Sequence, residues 1–301
     1  MESITIGHTI KNLRKIAGLS QKELAKDICS QAQICKIEKN HELPSSYILN
    51  KIAKKLGVDM NYFFEIQETP RLDYLLEVKG LVRELIRERN YKKVYEIITS
   101  EKKSPLFQTI ENKQFLLWHE AICIHYIEKR PEEALEQLFN ALSLTYTQNK
   151  QYYSENEIEI LNSIAIIQKD LQLYKEAESN FRDGLRLINY IPKLNNKQIK
   201  IRLIYGLSKL LTDQGRYTES IDYCNEGILL CKKLESLYLF GELHYQLGAN
   251  FARLGDFSKA EYSFNKAINI FAIQDNHNFV SLVEKLRDQL LGKISNSNLR
   301  N

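Results

Sequence analysis

Long apolar runs are missing from this sequence: nowhere do about eighteen uncharged apolar residues follow one another, which excludes a bilayer-spanning helix. Cysteine is sparse as well. The five present (Cys29, Cys35, Cys123, Cys224, Cys231) are an odd number without a C-x-x-C pair, which argues against a disulfide framework and a zinc knuckle. The six histidines include no H-E-x-x-H, and His119 and His125 are too far out of phase to share a helix face. No G-x-S-x-G, Walker loop or dinucleotide fingerprint occurs. No catalysis, cofactor or metal is therefore expected. The opening MESITIGHTIKNLRK has no basic start followed by an apolar block, so a signal peptide is not expected and a cytoplasmic location is.

Glycine (12) and proline (5) are scarce in the 301 residues, and helix formers dominate, which predicts an all-α fold. The length exceeds what one core fills and implies two domains, or one domain plus a repeat array. Net charge is only +4, yet residues 1–65 hold ten Lys/Arg against seven Asp/Glu, a mild basic bias compatible with phosphate contacts.

Ile6, Ile10, Leu13 and Ala17 recur at helical spacing, and Gly18 stops the pattern. Ser20 with Glu23 forms a capping box for a short second helix whose apolar face is Leu24, Ala25 and Ile28. A third helix follows at once: Ser30 can cap it, Ile34 and Ile37 point inward, and Gln31, Gln33, Lys36 and Lys39 point outward. Two short helices joined so tightly must cross steeply, as in a helix-turn-helix. Asn40 to Pro44 breaks the chain; a fourth helix carries Ile48, Leu49, Ile52, Ala53 and Leu56 and ends at Gly57, and a fifth starts near Asp59.

The run LSQKELAKDICSQAQICKIEKNHELPS resembles the Cro/repressor-type helix-turn-helix family. The resemblance implies a phosphate contact at Gln21, a small crossing residue at Ala25, and a buried ion pair between Arg14 and Glu38. It places Ser30, Gln31, Ala32, Gln33, Cys35 and Lys36 on the face that enters the major groove. A glutamine amide can pair with adenine N6/N7, and lysine can reach guanine or a phosphate. The usual turn glycine is replaced by Cys29 and the turn is one residue shorter, which leaves the start of the third helix open by one position. Neither Cys29 nor Cys35 has a basic pair or second cysteine beside it, so packing roles are expected before redox ones.

Beyond Thr69-Pro70 the sequence changes character. A recurring phrase reads NYKKV, RPEEA, LYKEA, RYTES and DFSKA, with anchors Val94, Ala134, Ala177, Ser220 and Ala260 spaced by 40, 43, 43 and 40 residues. That period predicts an α-solenoid. The units resemble tetratricopeptide repeats, most clearly in Leu247, Gly248, Phe251, Gly255, Phe257, Ala260, Phe264 and Ala267. Trp118 stands where that family has its early tryptophan. About five helix pairs and a capping helix from about 276 to 291 account for the chain. The expected organisation is a helix-turn-helix domain at 1–66, a linker at 67–74, a repeat domain for peptide binding and dimerisation at 75–293, and a disordered tail at 294–301.

The combination resembles the peptide-responsive regulators of Gram-positive bacteria, the group of PlcR, NprR and PrgX, and the PlcR type most. The resemblance implies a homodimeric transcription factor on a pseudo-palindromic double-stranded DNA operator, controlled by a short signalling (quorum-sensing) peptide, with no membrane partner. It places Arg87 and Arg89 against acidic groups of the peptide and Asn162 on its backbone. Tyr205, Glu242, Gln246 and Phe279 fall at inner-helix or capping-helix positions, and Gly206 departs from an asparagine of the group. A Rap-type sequestering or phosphatase-like regulator would leave the helix-turn-helix idle. A phage-type repressor would leave the repeats unexplained.

Overall fold

The computed structural model describes residues 5–68, 71–147 and 153–298, and the described residues form helices and turns without a strand. Thr69-Pro70, the expected boundary, lies outside them. By internal contacts the chain divides into two compact units, Met1–Asn90 with Lys103–Thr109, and Tyr91–Lys102 with Ile110–Asn301.

The first unit opens with α1 (Ile6–Ile16), whose cap is the Thr5 hydroxyl accepting from the His8 N–H. Helix α2 (Gln21–Ala25) has the full Ser20/Glu23 capping box. Then come α3 (Gln31–Glu38), α4 (Ser46–Leu56) and α5 (Asn61–Glu68). Gly57 ends α4 with φ 73°, a left-handed stop that favours glycine. The core is Ile10, Leu24, Ala25, Ile34, Ile37, Leu49, Ile52, Ala53 and Phe63, all but sealed from solvent. Ala17, expected inward, is an exposed cap residue; the buried position at that end of α1 is Arg14. The helical phase favours position 14 because the arginine stem packs and its head is neutralised from α3.

Contact between α1 and the end of α3 depends on Gly7. A Cβ there would stand 2.0 Å from the Ile37 carbonyl oxygen and 2.6 Å from Asn40 Oδ1. Only a glycine lets the two backbones meet so closely.

Helix α6 (Leu72–Arg87) also belongs to the first unit, with a 3-10 turn at Pro105–Phe107. Since α5 reaches Glu68 and α6 begins at Leu72, part of the expected linker at 67–74 is helical. The expected start of the repeat domain at 75 falls inside α6.

The second unit is an array of antiparallel helices. It comprises α7 (Tyr91–Glu101), α8 (Ile110–Cys123), α9 (Pro131–Ser143), α10 (Glu155–Asp170) and α11 (Tyr174–Leu187). It continues through α12 (Gln198–Asp213), α13 (Tyr217–Lys233), α14 (Phe240–Arg253), α15 (Phe257–Ile273) and α16 (His277–Asn298). The five anchors occupy the fourth position of α7, α9, α11, α13 and α15, and each has 0% exposure. Small side chains at four of these points, Ala134, Ala177, Ser220 and Ala260, let α9, α11, α13 and α15 lie close against α8, α10, α12 and α14. The last pair shows the limit: a Cβ on Gly248 of α14 would stand 2.7 Å from the Phe264 ring and 3.1 Å from the Ala260 oxygen. Trp118 on α8 donates its indole N–H to Ser163 Oγ on α10 at 2.9 Å, tying one repeat to the next. Helix α16 runs on to Asn298, so the described part of the expected disordered tail is helical; 299–301 lie outside the described residues.

Gly7→Ala is expected to lower the stability of the first unit by about 1–3 kcal/mol, because the new methyl meets backbone rather than a movable side chain. Gly80→Ala on α6, where a Cβ meets nothing within 4 Å, should instead gain about 0.5–1 kcal/mol. Urea unfolding of both variants measures the contrast.

Candidate nucleic-acid interface and ligand face

The turn between α2 and α3 is left-handed at Asp27, φ 66°, and not at Cys29. Aspartate tolerates that region better than most side chains, so the turn needs no glycine at Cys29, and its shortened form is built two residues earlier than expected. Two lysines of α4 brace it, Lys51 Nζ on the Asp27 carbonyl at 3.3 Å and Lys55 Nζ on the Lys26 carbonyl at 2.9 Å.

The register of α3 is settled by its cap. Ser30 Oγ accepts from the Gln33 N–H at 3.1 Å, so Ser30 is the N-cap and Gln31 and Ala32 are the first two helical residues, both exposed. Lys36 is exposed one turn on, whereas Gln33 and Cys35 are half-buried. The Gln33 amide donates through Nε2 to Glu42 Oε1 at 2.6 Å. Burial pushes the Cys29 thiol up, with Glu42 adding to the effect, which is the opposite of what a reactive thiolate needs.

Behind the exposed face, Arg14 closes on Glu38 through two bonds, Nε to Oε1 at 2.5 Å and Nη2 to Oε2 at 3.0 Å. Its remaining nitrogen, Nη1, donates to the Leu19 carbonyl at 2.7 Å. The ion pair implied by the resemblance is thus present, and α1, the loop before α2 and the end of α3 meet on one guanidinium. Gln21, expected at a phosphate, donates Nε2 to Glu38 Oε2 at 2.8 Å. The same carboxylate therefore orients it. Burial pushes the Glu38 carboxyl up, but bonds from Arg14 and Gln21 outweigh it and hold the group below the ordinary range.

In the second unit, Asn162, Tyr205, Glu242 and Gln246 come from three successive inner helices, α10, α12 and α14. Asn162 is 5% exposed, and its Oδ1 is sealed from solvent without a hydrogen-bond partner. Leaving such an oxygen unmade costs about 1–3 kcal/mol, and an incoming N–H would recover it. One turn away on α10, buried Glu159 receives Arg202 Nη2 of α12 at 2.5 Å and Asn196 Nδ2 at 3.2 Å. The Arg202 guanidinium lies 5.6 Å over the Tyr238 ring. Tyr205 is half-buried with Lys209 Nζ 5.7 Å from its ring centre. Gln246 is engaged within the protein, Nε2 donating to Thr212 Oγ1 at 2.6 Å. Thr212 bonds Asn250 Oδ1 at 2.7 Å, Asn250 Nδ2 bonds Ser220 Oγ at 2.8 Å, and Ser220 bonds the Ser208 carbonyl at 2.7 Å. Phe279 stacks on Phe271 at 5.0 Å within the apolar core of the last pair. Gly206 has no room for an asparagine, since a Cβ would stand 2.4 Å from the Phe181 ring. Arg87 ends α6 and Arg89 follows it with φ 59°, both exposed in the first unit. The Glu159–Arg202 pair and the Thr212 relay were missed from sequence. Ser220, the one hydroxyl among the anchors, is the trace the relay leaves there.

Residues 79–291 match the model of the RNPP family C-terminal domain. The chain belongs to the RNPP family. Residues 10–63 match a helix-turn-helix model. Among solved structures, this RNPP chain is similar to Bacillus thuringiensis PlcR in complex with the peptide PapR7 and DNA. Identity there is 27% and the TM-score 0.84, over 93% of this chain and 98% of that one. ComR from S. thermophilus, with DNA and its signalling peptide ComS, shares 17% identity and a TM-score of 0.69 over 95% and 99%. Rgg2, the SHP pheromone receptor of Streptococcus dysgalactiae, shares 16% and 0.63 over 94% and 98%. No curated protein sequence matches the chain. The all-α fold, with a helix-turn-helix head and tetratricopeptide-like array, is the one that these structures share. Among the described residues no helix is long and apolar enough to cross a membrane.

Because Glu38 is held low, its contribution to folding is complete above the unfolded carboxyl value, about 4.3, and drains away as pH falls through its lower folded value. Thermal unfolding of the wild type should show this loss on acidification, and Glu38→Gln should flatten it while lowering stability near neutrality. An unchanged acid limb in Glu38→Gln would place the loss elsewhere.

Proposed function

We propose that the chain is a sequence-specific DNA-binding transcriptional regulator whose activity is set by a short signalling peptide held on the inner helices of its repeat unit. What carries the reading is the near full-length likeness to PlcR, which has been solved with a peptide and DNA together. In this reading Gln31, Ala32, Gln33 and Lys36 meet base edges or phosphates in the major groove, and Gln21 and Ser30 lie at its rim. Cys35 packs beside them. The protein acts as a homodimer on a two-fold site, in the cytoplasm, and carries out no catalysis.

On the ligand side, the sealed Asn162 carbonyl is the natural acceptor for a peptide backbone N–H. Tyr205 and Glu242 flank it along the inner helices, and Arg87 and Arg89 supply cations for acidic groups. Gln246 and Phe279 support the face from within, since both are committed to internal partners. Gly206 removes a polar contact, so the peptide differs from that of proteins with asparagine there.

Footprinting on genomic fragments should reveal two half-sites one or two helical turns apart. Calorimetry with synthetic peptides of about five to ten residues, encoded in small exported reading frames beside the gene, should find a binder. Asn162→Ala should weaken that peptide by roughly five- to twentyfold, the worth of about one buried hydrogen bond, with DNA affinity of the peptide-free protein unchanged. Absence of specific DNA binding at any salt concentration would remove the proposal.

A further inference from the structure

We infer that Glu42, in the loop after α3, is a specificity-positioning residue that fixes how Gln33 meets DNA. The inference rests on the reading of α3 as the DNA-contacting helix and adds to it a residue outside that helix.

Gln33 occupies the third helical position of α3, and its backbone N–H is already taken by the Ser30 cap. Its side chain forms no capping box with Ser30, unlike Glu23 with Ser20 in α2. The amide reaches Glu42 Oε1 through Nε2 at 2.6 Å. A carboxylate only accepts, so the nitrogen end of the amide must face Glu42, and the ambiguity between amide oxygen and nitrogen disappears. What remains free is the carbonyl oxygen and the second N–H, a donor and acceptor in fixed order and plane.

Glu42 is itself held in place. The chain leaving α3 is pinned by the Asn40 N–H on the Ile37 carbonyl at 2.9 Å and the His41 N–H on the Lys36 carbonyl at 2.9 Å. Asn40 adopts φ 59° between those bonds, and Pro44 restricts the backbone two residues beyond Glu42. Both side chains are half-buried, so the pair is shielded on one side and open on the other. An unanchored glutamine rotates freely and reads several bases with similar energy. An anchored one presents the pattern complementary to adenine, an acceptor for N6–H and a donor for N7. Anchoring by an anion also has a cost in affinity, because a carboxylate near the backbone repels phosphate. Glu42 thus exchanges some affinity for discrimination.

The test uses the full-length protein on an operator located by footprinting, with each base pair substituted in turn and affinities measured at one salt concentration. Gln33→Ala identifies the position that Gln33 reads. There the wild type should prefer its cognate base by about tenfold, Glu42→Ala should lose most of that preference, and Glu42→Gln, which keeps an acceptor oxygen without the charge, should restore it. Circular dichroism and thermal unfolding confirm that the variants fold. The inference is overturned if Gln33→Ala leaves every base preference intact. It is equally overturned if Glu42→Ala keeps the preference and only tightens binding to all sequences, the behaviour of a like charge. If the wild type binds no sequence specifically, the regulator reading itself fails, a result distinct from either.

Discussion

A guanidinium shut against a carboxylate inside a small domain sets the geometry of the DNA-reading head. Arg14 is fixed at three points, two on Glu38 and one on the Leu19 carbonyl, and no rotation of α3 about its axis preserves all three. Buried ion pairs add little net stability, since desolvation offsets most of the attraction, but breaking one leaves an uncompensated charge. Its value here is in specifying one arrangement. Gly7 works in the same direction by allowing α1 to touch the end of α3, and Gln21 borrows its orientation from the carboxylate that Arg14 holds. The exposed residues Gln31, Ala32 and Lys36 inherit their position from contacts that they do not make.

The array follows a different logic. The pairs α8/α9, α10/α11, α12/α13 and α14/α15 depend on a small residue at a crossing, and each repeat depends on its neighbours for burial. Some polar groups in this interior have their bonds made, as Trp118 does with Ser163. The Asn162 Oδ1 is among the buried atoms that do not. In the proposed function it is a peptide N–H that completes this oxygen.

Most of the fold was legible because it rests on local signals. The Ser20/Glu23 capping box, the Ser30 cap, the Gly57 stop and the five anchors are short-range patterns, and the structure has each of them. Positions governed by tertiary contact were less readable. Ala17 had the right spacing for the core but is exposed, whereas Arg14, whose burial the resemblance implied and the apolar spacing did not, is buried because Glu38 makes a buried arginine tolerable. Cys29 looked like the substitute for a turn glycine, while the left-handed residue is Asp27, since backbone sign depends on the length of α2. Gln246 and Phe279 were recognisable as inner or capping positions, but their partners, Thr212 and Phe271, come from neighbouring helices that periodicity does not align. The Gln33–Glu42 contact joins a helix to the loop beyond it, a pairing for which spacing gives no rule.

The relay from Gln246 through Thr212, Asn250 and Ser220 to the Ser208 carbonyl joins α12, α13 and α14 without an apolar interruption. Repeat arrays ordinarily behave as chains of weakly coupled springs, each unit able to loosen while its neighbours hold. A hydrogen-bond chain that passes through all three helices weakens that independence, because opening any one of them strands polar atoms in the other two. The fourth and fifth repeats are therefore one mechanical block, and bending of the array falls to the joints on either side of it.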